Sequence, residues 1–282
     1  IAGYRGLITS TLSVQCGLFP LHSGFLGGAV QEAYTQVVHL LASLQTKDGS
    51  INLPGTEPFQ PPLDEKKELE LSKITFHPPA DHPAAAENSQ QRVEWNNAAA
   101  LFHMWYRPSL SIHGIEGGWT GPGVRTAIPP KVTARFSIRL VPGMNVEKVQ
   151  EALEMHLNTE FGKFNTPNYM QLTVQNRLDA WEADGTSEVY KAVSQATVRV
   201  YGVRPDIIRD GGTLIWPGLI QGVLGSSPVL VLPLMHREAE ADMEQENLRQ
   251  AESYLLTSIR LAAAVLDELG ELEPAQLQRG LQ

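Results

Sequence analysis

The chain has 282 residues, of which 42% are hydrophobic and 19% are charged, a balance typical of a globular protein large enough to bury its own core. Its 31 acidic residues outnumber 22 basic ones, and the net charge of -9, without a recurring basic cluster, argues against nucleic acid as a partner. The single cysteine excludes an intrachain disulfide, and no apolar run reaches the roughly eighteen residues of a membrane span, so we expect a cytoplasmic protein with no membrane partner.

The first elements in chain order are a strand and a helix. Residues 6–16, GLITSTLSVQC, alternate apolar and small polar residues and predict a half-buried strand. From Gly28 to Leu44 apolar residues recur at intervals of three and four, which predicts an amphipathic helix. Between them lies LFPLHSGFLGGAV, residues 18–30, whose His22 is, taken alone, more typical of a polar turn than of a catalyst.

Further along, residues 56–90 mix prolines with charged and small residues and predict an insertion with one short helix. Strands are predicted at PSLSIHGIEGG and at KVTARFSIRLVP, where alternate residues from Val132 to Leu140 share one face and Ser137 and Arg139 share the other. Asn145 should cap a helix carrying Val146, Val149, Leu153 and Leu157 on one stripe, and YMQLTVQNRL should form a last strand.

These elements predict an α+β, ferredoxin-like domain over residues 1–181. Their order is β-α-β-β-α-β, with an insertion at about 46–105. Such an order is typical of a four-stranded antiparallel sheet with two helices on one face.

After Trp181 the pattern changes to helices alternating with buried strands. We expect a helix ending at Gly202, a short strand and a Gly-Gly turn within DIIRDGGTLIWPGLIQGV, a buried strand at PVLVLPL and a long helix from Glu244 to Leu269. Two strands are too few for a complete doubly wound sheet. Residues 182–282 therefore predict an incomplete α/β segment of a larger domain.

Several residues could carry chemistry. Four histidines, at 77, 82, 103 and 156, form no HxH or HExxH spacing, so local motifs assemble no zinc site. The candidate nucleophiles are Ser23 beside His22, Ser111 near His113, and Thr213, but no G-x-S-x-G elbow is present. Arg139 is either a solvated residue of the outer face or a two-point clamp for a carboxylate, and DGGT is either a tight turn or a place of close ligand approach.

Longer motifs carry a resemblance to a known family. PSLSIHGIEGGWTGPGVRTAIPPKVTARFSIRLVPGM closely resembles the zinc dipeptidases of the carnosinase and cytosolic non-specific dipeptidase type. GYRGLITSTLSV, LHSGFLGGAVQEA, YGVRPDIIRDGGT and QENL are similar to the same family in the same order. The resemblance implies a lid domain inserted into a catalytic α/β domain with two zinc ions, and lids that pair into a homodimer.

The resemblance also implies roles for individual residues. His22 would stabilise the oxyanion in the partner's active site, whereas Thr126, Arg139, Gly212 and Thr213 would bind a dipeptide or short peptide substrate. Asp242 stands where the family has a metal-ligating histidine, and His236 could replace it only if the loop folds back.

The departures from the family shape the expected function. The family's HxD motif, its acidic pair and its bridging aspartate would precede Ile1, and the first residues look like a cut inside something longer rather than a signal peptide. We expect the lid and C-terminal part of a zinc exopeptidase that hydrolyses the peptide bond next to a free C-terminus, inactive alone and without full zinc occupancy. The alternative is a non-catalytic homodimerisation protein derived from a metallopeptidase, which Asp242 favours.

Overall fold

The computed structural model describes residues 1–75, 96–225, 227–233, 240–242, 247–249 and 252–273. They divide into two compact units, a larger one of residues 5–180 and 211–213, and a smaller one of residues 1–4, 181–210 and the described part of 214–282. Both mix helices with antiparallel strand pairs. No helix in the described ranges is long and apolar enough to cross a membrane.

The larger unit is built on a sheet of four antiparallel strands in the order β4-β6-β2-β7. Its strands are β2 (Gly6–Gln15), β3 (Leu21–His22), β4 (Ser109–Glu116), β5 (Ala127–Ile128), β6 (Lys131–Leu140) and β7 (Tyr169–Leu178). Its helices are α1 (Ser23–Leu26), α2 (Ala33–Ser43), α3 (Glu65–Leu71), α4 (Asn97–Tyr106) and α5 (Val146–Gly162), with a 3₁₀ turn at Glu57–Phe59. The four long strands confirm the strands predicted from sequence.

Strand β6 shows why the sheet has one buried face. Five alternate residues are at most 1% exposed, as predicted: Val132, Ala134, Phe136, Ile138 and Leu140. Opposite them, Ile8, Leu12 and Val14 of β2 are fully buried as well. Because successive side chains of a strand point to opposite faces, Ser137 and Arg139 lie on the other face, as expected.

Helices α2 and α5 both pack against this sheet and against each other. Helix α5 confirms its prediction, since the Asn145 side chain accepts a hydrogen bond from the Lys148 N–H and the predicted apolar stripe is buried. The predicted start of α2 at Gly28 is wrong. Gly28 has φ +80°, outside the helical region, and the helix begins at Ala33 after the separate turn α1.

The predicted insertion contains the expected short helix, α3, capped by the Asp64 side chain. It also contains α4, which the sequence pattern did not predict and which buries Leu101, Phe102 and Trp105. Residues 76–95, with His77 and His82, lie outside the described residues.

The smaller unit consists mainly of helices α6 (Glu188–Tyr201), α7 (Ile215–Leu224) and α8 (Glu252–Gly270), with the strand pairs β1 (Gly3–Tyr4) with β8 (Trp181–Glu182), and β9 (Glu240–Asp242) with β10 (Asn247–Arg249). Helix α6 ends at Gly202 with φ +73°, which confirms the predicted cap. The predicted start of the last helix at Glu244 is wrong, because residues 247–249 form β10, and helix α8 begins at Glu252. Residues 243–246 lie outside the described residues.

Two predicted strands of this unit are wrong. Residues 206–209 form no strand, and the Gly-Gly turn is preceded only by an isolated bridge between Asp210 and Tyr4. Residues 228–233 of PVLVLPL form no strand either, although Val229 is buried against Tyr4 and Trp181. An apolar segment becomes a strand only where a neighbouring backbone completes its hydrogen bonds, and in the described part of this unit no strand pairs with this segment.

Candidate substrate-binding site

His22 is held at the end of a two-stranded arm formed by β3 and β5. Leu21 pairs with Ile128 and His22 with Ala127 in antiparallel register, and the Ser23 N–H donates to the Thr126 carbonyl over 2.9 Å. This pairing brings His22 and Thr126, which are 104 residues apart in sequence, into contact.

The contacts of the His22 ring define its tautomer. The Gly24 N–H donates to Nδ1 over 3.0 Å as the N-cap bond of α1. Since an accepting ring nitrogen carries no proton, the proton of the neutral imidazole lies on Nε2. This Nε2–H donates to Thr126 Oγ1 over 3.3 Å, and the residue as a whole is exposed. His22 therefore presents a hydrogen-bond donor at the protein surface.

A stacked pair supports the loop that leads to Thr126. The Arg125 guanidinium lies 3.7 Å from the centre of the Trp119 ring, and Trp119 Nε1 donates to the Pro122 carbonyl over 3.2 Å. A cation over an aromatic face stabilises by about 0.5–2 kcal/mol. The loop before Thr126 is thus braced by its own side chains.

Arg139 and Thr213 form the second contact of interest. Arg139 Nη1 donates to Thr213 Oγ1 over 2.6 Å, and the Thr213 hydroxyl donates to the Gly6 carbonyl over 3.3 Å. Arg139 is partly buried on the polar face of β6. The structure therefore brings together the two residues that the sequence left as separate candidates, and Arg139 is not simply a solvated surface residue.

Arg5, which sequence analysis missed, holds the Gly-Gly-Thr segment in place. Its backbone N–H donates to the Gly212 carbonyl over 3.0 Å, its Nε to the Gly211 carbonyl over 2.8 Å and its Nη1 to Ser109 Oγ over 3.0 Å. The only sequence feature that could have pointed to this role is an arginine directly before a predicted strand, in GYRGL. The contact spans 206 residues, so no local pattern could have revealed it.

The candidate nucleophiles do not form a triad. His22 contacts Gly24 and Thr126 rather than the Ser23 hydroxyl, and His113 Nε2 lies 2.8 Å from Ser137 Oγ rather than from Ser111. Without an imidazole on either candidate serine, the described contacts give no support to serine catalysis.

The described residues also contain no group of three or more histidine, cysteine, aspartate or glutamate side chains that could hold a metal ion. His156 contacts Ser43 at 3.0 Å, between α5 and α2. Asp242 ends β9, paired in register with Asn247, but its side chain and the whole of His236 lie outside the described part of the structure.

Comparison with known proteins first identifies the class of protein. Residues 10–165, more than half of the chain, match the family model described as the peptidase dimerisation domain. This range contains all of β4 and β6, the part of β2 from Ser10 onward, and the His22 arm.

Individual relatives then narrow the class. The chain is 34% identical over 246 residues to a Cys-Gly metallodipeptidase of Candida albicans, covering 87% of this chain and 50% of that protein. It is 36% identical over 229 residues to the human Beta-Ala-His dipeptidase, covering 81% of this chain and 45% of that protein. The chain spans about half the length of the curated relatives it matches.

Solved structures agree. Human carnosine dipeptidase 1 matches with a TM-score of 0.74 and 33% identity, over 96% of this chain and 56% of that one. The dipeptidase Dug1p of Saccharomyces cerevisiae matches with a TM-score of 0.78 and 31% identity, over 97% and 56%. The chain belongs to the M20 peptidase family, and the relatives it matches include a metallodipeptidase and dipeptidases of the carnosinase type.

Proposed function

We propose that the larger unit is the ferredoxin-like lid of a zinc-dependent dipeptidase and that it binds a dipeptide or short peptide by its free C-terminus. The observation that carries this proposal is the 2.6 Å contact between Arg139 and Thr213. It places a guanidinium, a hydroxyl and the backbone of Gly212 in one small region of the larger unit.

This arrangement suits a carboxylate. A guanidinium offers parallel N–H donors that match the two carboxylate oxygens, and the Thr213 hydroxyl can turn from the Gly6 carbonyl to the ligand. Arg139 already donates to an oxygen at Thr213 Oγ1, so its donors are oriented before a ligand arrives. Pre-oriented donors lose less entropy on binding.

His22 is proposed to stabilise the oxyanion that develops on the scissile carbonyl. Its Nε2–H is a donor fixed by the Gly24 bond and bound only to the weak acceptor Thr126 Oγ1 at 3.3 Å. One well-placed donor of this kind contributes about 3–4 kcal/mol to a transition state.

We further propose that His22 acts in the active site of a second subunit. The arm that carries it exposes three large apolar side chains, Leu18, Phe19 and the Phe25 that packs on the His22 ring, at 75–85% of their surface. Apolar side chains so exposed around a polar donor are typical of a protein–protein contact. A homodimer formed through this unit would cover them, and a strictly monomeric mass by light scattering at micromolar concentration would contradict it.

We propose in addition that the complete enzyme binds zinc, although the described residues form no metal site. The Cys-Gly relatives are named as metallodipeptidases, and Asp242 is the proposed ligand in the position of the family histidine. Since the described residues assemble no metal site, we expect the 282 residues alone to bind zinc incompletely and to hydrolyse no dipeptide. Chelator-sensitive turnover of Cys-Gly or β-alanyl-histidine by the purified chain with zinc or manganese would contradict this.

A chimaera gives the direct test of function. The segment of the Saccharomyces cerevisiae Cys-Gly metallodipeptidase that precedes its match would be fused to the full 282 residues. We expect zinc-dependent dipeptide hydrolysis, and kcat/KM about a hundredfold lower for H22A and for R139A, whereas R177A on the exposed part of β7 is the matched control.

Mixing the two inactive chimaeras tests the action across subunits. A mixed dimer of H22A and R139A has one site with an intact Arg139 and the intact His22 of its partner. We expect recovery of about a quarter of the original rate after subunit exchange, because about half of the dimers are mixed and each has one working site. No recovery, in a mixture shown to exchange subunits, would place His22 in its own subunit's site.

The alternative function is non-catalytic dimerisation, which Asp242 favours because it is shorter than the family histidine and differently charged. An active chimaera excludes it. If the chimaera dimerises but is inactive, and D242H does not restore turnover, the non-catalytic function is supported instead.

A further inference from the structure

A polar cavity lies within the larger unit, apart from the His22 arm. It has a volume of about 300 Å³ and is bounded by the turn at residues 46–50, the end of α4 and the start of β4. The residues that matter for its chemistry are Arg5, Asp48, His103, Arg107 and Ser109. No role has been assigned to it by the function proposed above.

One wall of this cavity is positive. Arg107 donates from Nη2 to Ser50 Oγ over 2.8 Å, and none of the ion pairs between described residues involves it. Arg5 contributes a second guanidinium. Burial, and then the nearby charge of Arg107, lower the pKa of His103, so the imidazole beside them is neutral. The cavity lining therefore holds two guanidinium groups, of which Arg107 forms no ion pair with a described residue, and one neutral imidazole.

Asp48 adds a negative charge to the cavity lining, next to Arg107. Asp48 accepts hydrogen bonds from Thr46 Oγ1 and, over 2.9 Å, from Ser50 Oγ. These bonds hold the pKa of Asp48 below its usual range, so it is charged at neutral pH. Each carboxylate oxygen can accept further bonds. Ser50 Oγ lies between the two charges, since it accepts from Arg107 and donates to Asp48.

We propose that this cavity binds a free α-amino acid, with the carboxylate on Arg107 and the ammonium group on Asp48. A simple anion would satisfy the arginines but would face the Asp48 carboxylate, and a simple cation would face the arginines. A zwitterion whose ammonium and carboxylate groups are attached to the same carbon complements Asp48 and Arg107, which Ser50 holds next to each other. The volume is at the lower end of the range of about 300–1,000 Å³ for small-molecule sites, which fits a ligand of this size.

Arg5 connects the cavity to the Gly-Gly-Thr segment. The same guanidinium that lines the cavity donates to the Gly211 carbonyl over 2.8 Å. An amino acid bound in the cavity would lie beside the side chain that holds the segment, so we expect binding to perturb residues 211–213. Binding itself does not depend on the proposed peptidase activity. Only an effect on hydrolysis would rest on it.

The test is a titration of the ¹⁵N-labelled 282-residue chain with L-alanine, followed by amide chemical shifts. We expect saturable shifts at Gly49, Met104 and Gly211, with a Kd in the millimolar range. R107A and D48N should each raise Kd about tenfold, because each removes one charge-assisted contact. The matched controls, R177A and D267N, change exposed residues outside the cavity and should leave Kd unchanged.

Ligand analogues separate the alternatives. Acetate and methylamine, each with half of the zwitterion, should bind at least about tenfold more weakly than alanine. Acetate or phosphate that binds as tightly as alanine, and equally to D48N, would show an anion site and overturn the proposal, as would the lack of saturable shifts with alanine. If R107A fails to fold, R107K keeps the charge but loses the planar fork, and unchanged alanine affinity in it would also overturn the proposal.

Discussion

The two units differ in how they bury apolar surface. In the larger unit one continuous cluster joins both packed helices to the sheet, and residues such as Leu12, Phe136 and Leu153 are almost fully buried. In the smaller unit α7 buries only Pro217 and leaves Trp216 and Val223 63% and 87% exposed. The larger unit therefore has one extensive core, whereas the smaller unit has a small core cluster and one helix, α7, whose apolar side chains the described residues leave exposed.

The largest expected difference concerns core truncation. Phe136→Ala should lower the free energy of unfolding of the larger unit by about 3–5 kcal/mol, because it leaves a cavity in the sheet–helix core. Val265→Ala, in the five-residue core cluster of the smaller unit, should cost clearly less. Urea unfolding followed by hydrogen exchange of peptides from each unit measures both. Equal losses of unfolding free energy in the two variants would contradict the proposed difference between the cores of the two units.

Alkaline pH should affect the smaller unit selectively. Burial raises the pKa of Tyr190 from 10.0 to about 12, and its hydroxyl donates to the Ile1 carbonyl over 2.7 Å. The fold favours the neutral phenol, so this contribution is complete below pH 10 and is lost as the pH rises towards about 12. The urea midpoint of unfolding should decrease as the pH rises across this range, and the decrease should be smaller in Y190F. An unchanged slope in Y190F would contradict this assignment.

Within the larger unit, the distant Gly-Gly-Thr segment should depend on Arg5. Arg5→Ala removes two side-chain bonds and should raise amide exchange at residues 211–213 about tenfold or more, with little change in the exchange of β6. Arg5→Lys keeps the positive charge but loses the planar guanidinium, so its amide exchange rates at residues 211–213 should lie between those of the original protein and of Arg5→Ala. If exchange rose across the whole sheet, Arg5 would be a core residue rather than a residue that positions this segment.

A matched pair of helix caps gives a smaller effect. Asn145 accepts the cap bond of α5, whereas Ser187, at the same position of α6 in the smaller unit, makes no cap bond and its buried hydroxyl has no hydrogen-bond partner. Asn145→Ala should cost about 1 kcal/mol, and Ser187→Ala no more than a few tenths. Thermal unfolding curves compare the two directly, and a loss for S187A like that for N145A would reveal a bond that is formed in solution.

The smallest effect is expected at Ser10. Its hydroxyl lies on the buried face of β2, 2% exposed and without a hydrogen-bond partner. Because an unsatisfied buried hydroxyl is unfavourable, Ser10→Ala should leave the stability of the larger unit unchanged or slightly higher. A loss above about 1 kcal/mol would show that the packing of this oxygen matters more than its lack of partner.

Local patterns predicted the larger unit well because its elements are determined by short-range chemistry. Alternation identified both faces of β6, and Asn145 marked the start of α5 through its side-chain bond. In the smaller unit, Gly202 likewise marked the end of α6 through its left-handed backbone. Two predictions from the pattern were wrong for local reasons. The positive φ of Gly28 prevents α2 from starting there, and residues 228–233 have no neighbouring strand in the described part of the unit with which to pair.

The candidate site was predictable only in parts. Arginine chemistry and the family resemblance singled out His22, Arg139 and Thr213, but not which residues meet. The contacts of Arg139 with Thr213 and of Arg5 with Gly211 join residues 74 and 206 positions apart. Such pairs depend on the packing of the whole unit, which no window of sequence contains.

The bond from Gly24 to His22 limits which side chains can replace the histidine. Imidazole has two nitrogens on opposite edges of one rigid ring, so it closes the first turn of α1 with one and reaches Thr126 with the other. H22N would keep an oxygen near the Gly24 N–H but would lose the far donor. H22Q would carry its amide donor far enough to reach Thr126 but would move its oxygen acceptor away from the Gly24 N–H. A residue that must terminate a strand, begin a helix and offer a donor can therefore be lost in one mutation but not easily regained by a substitute.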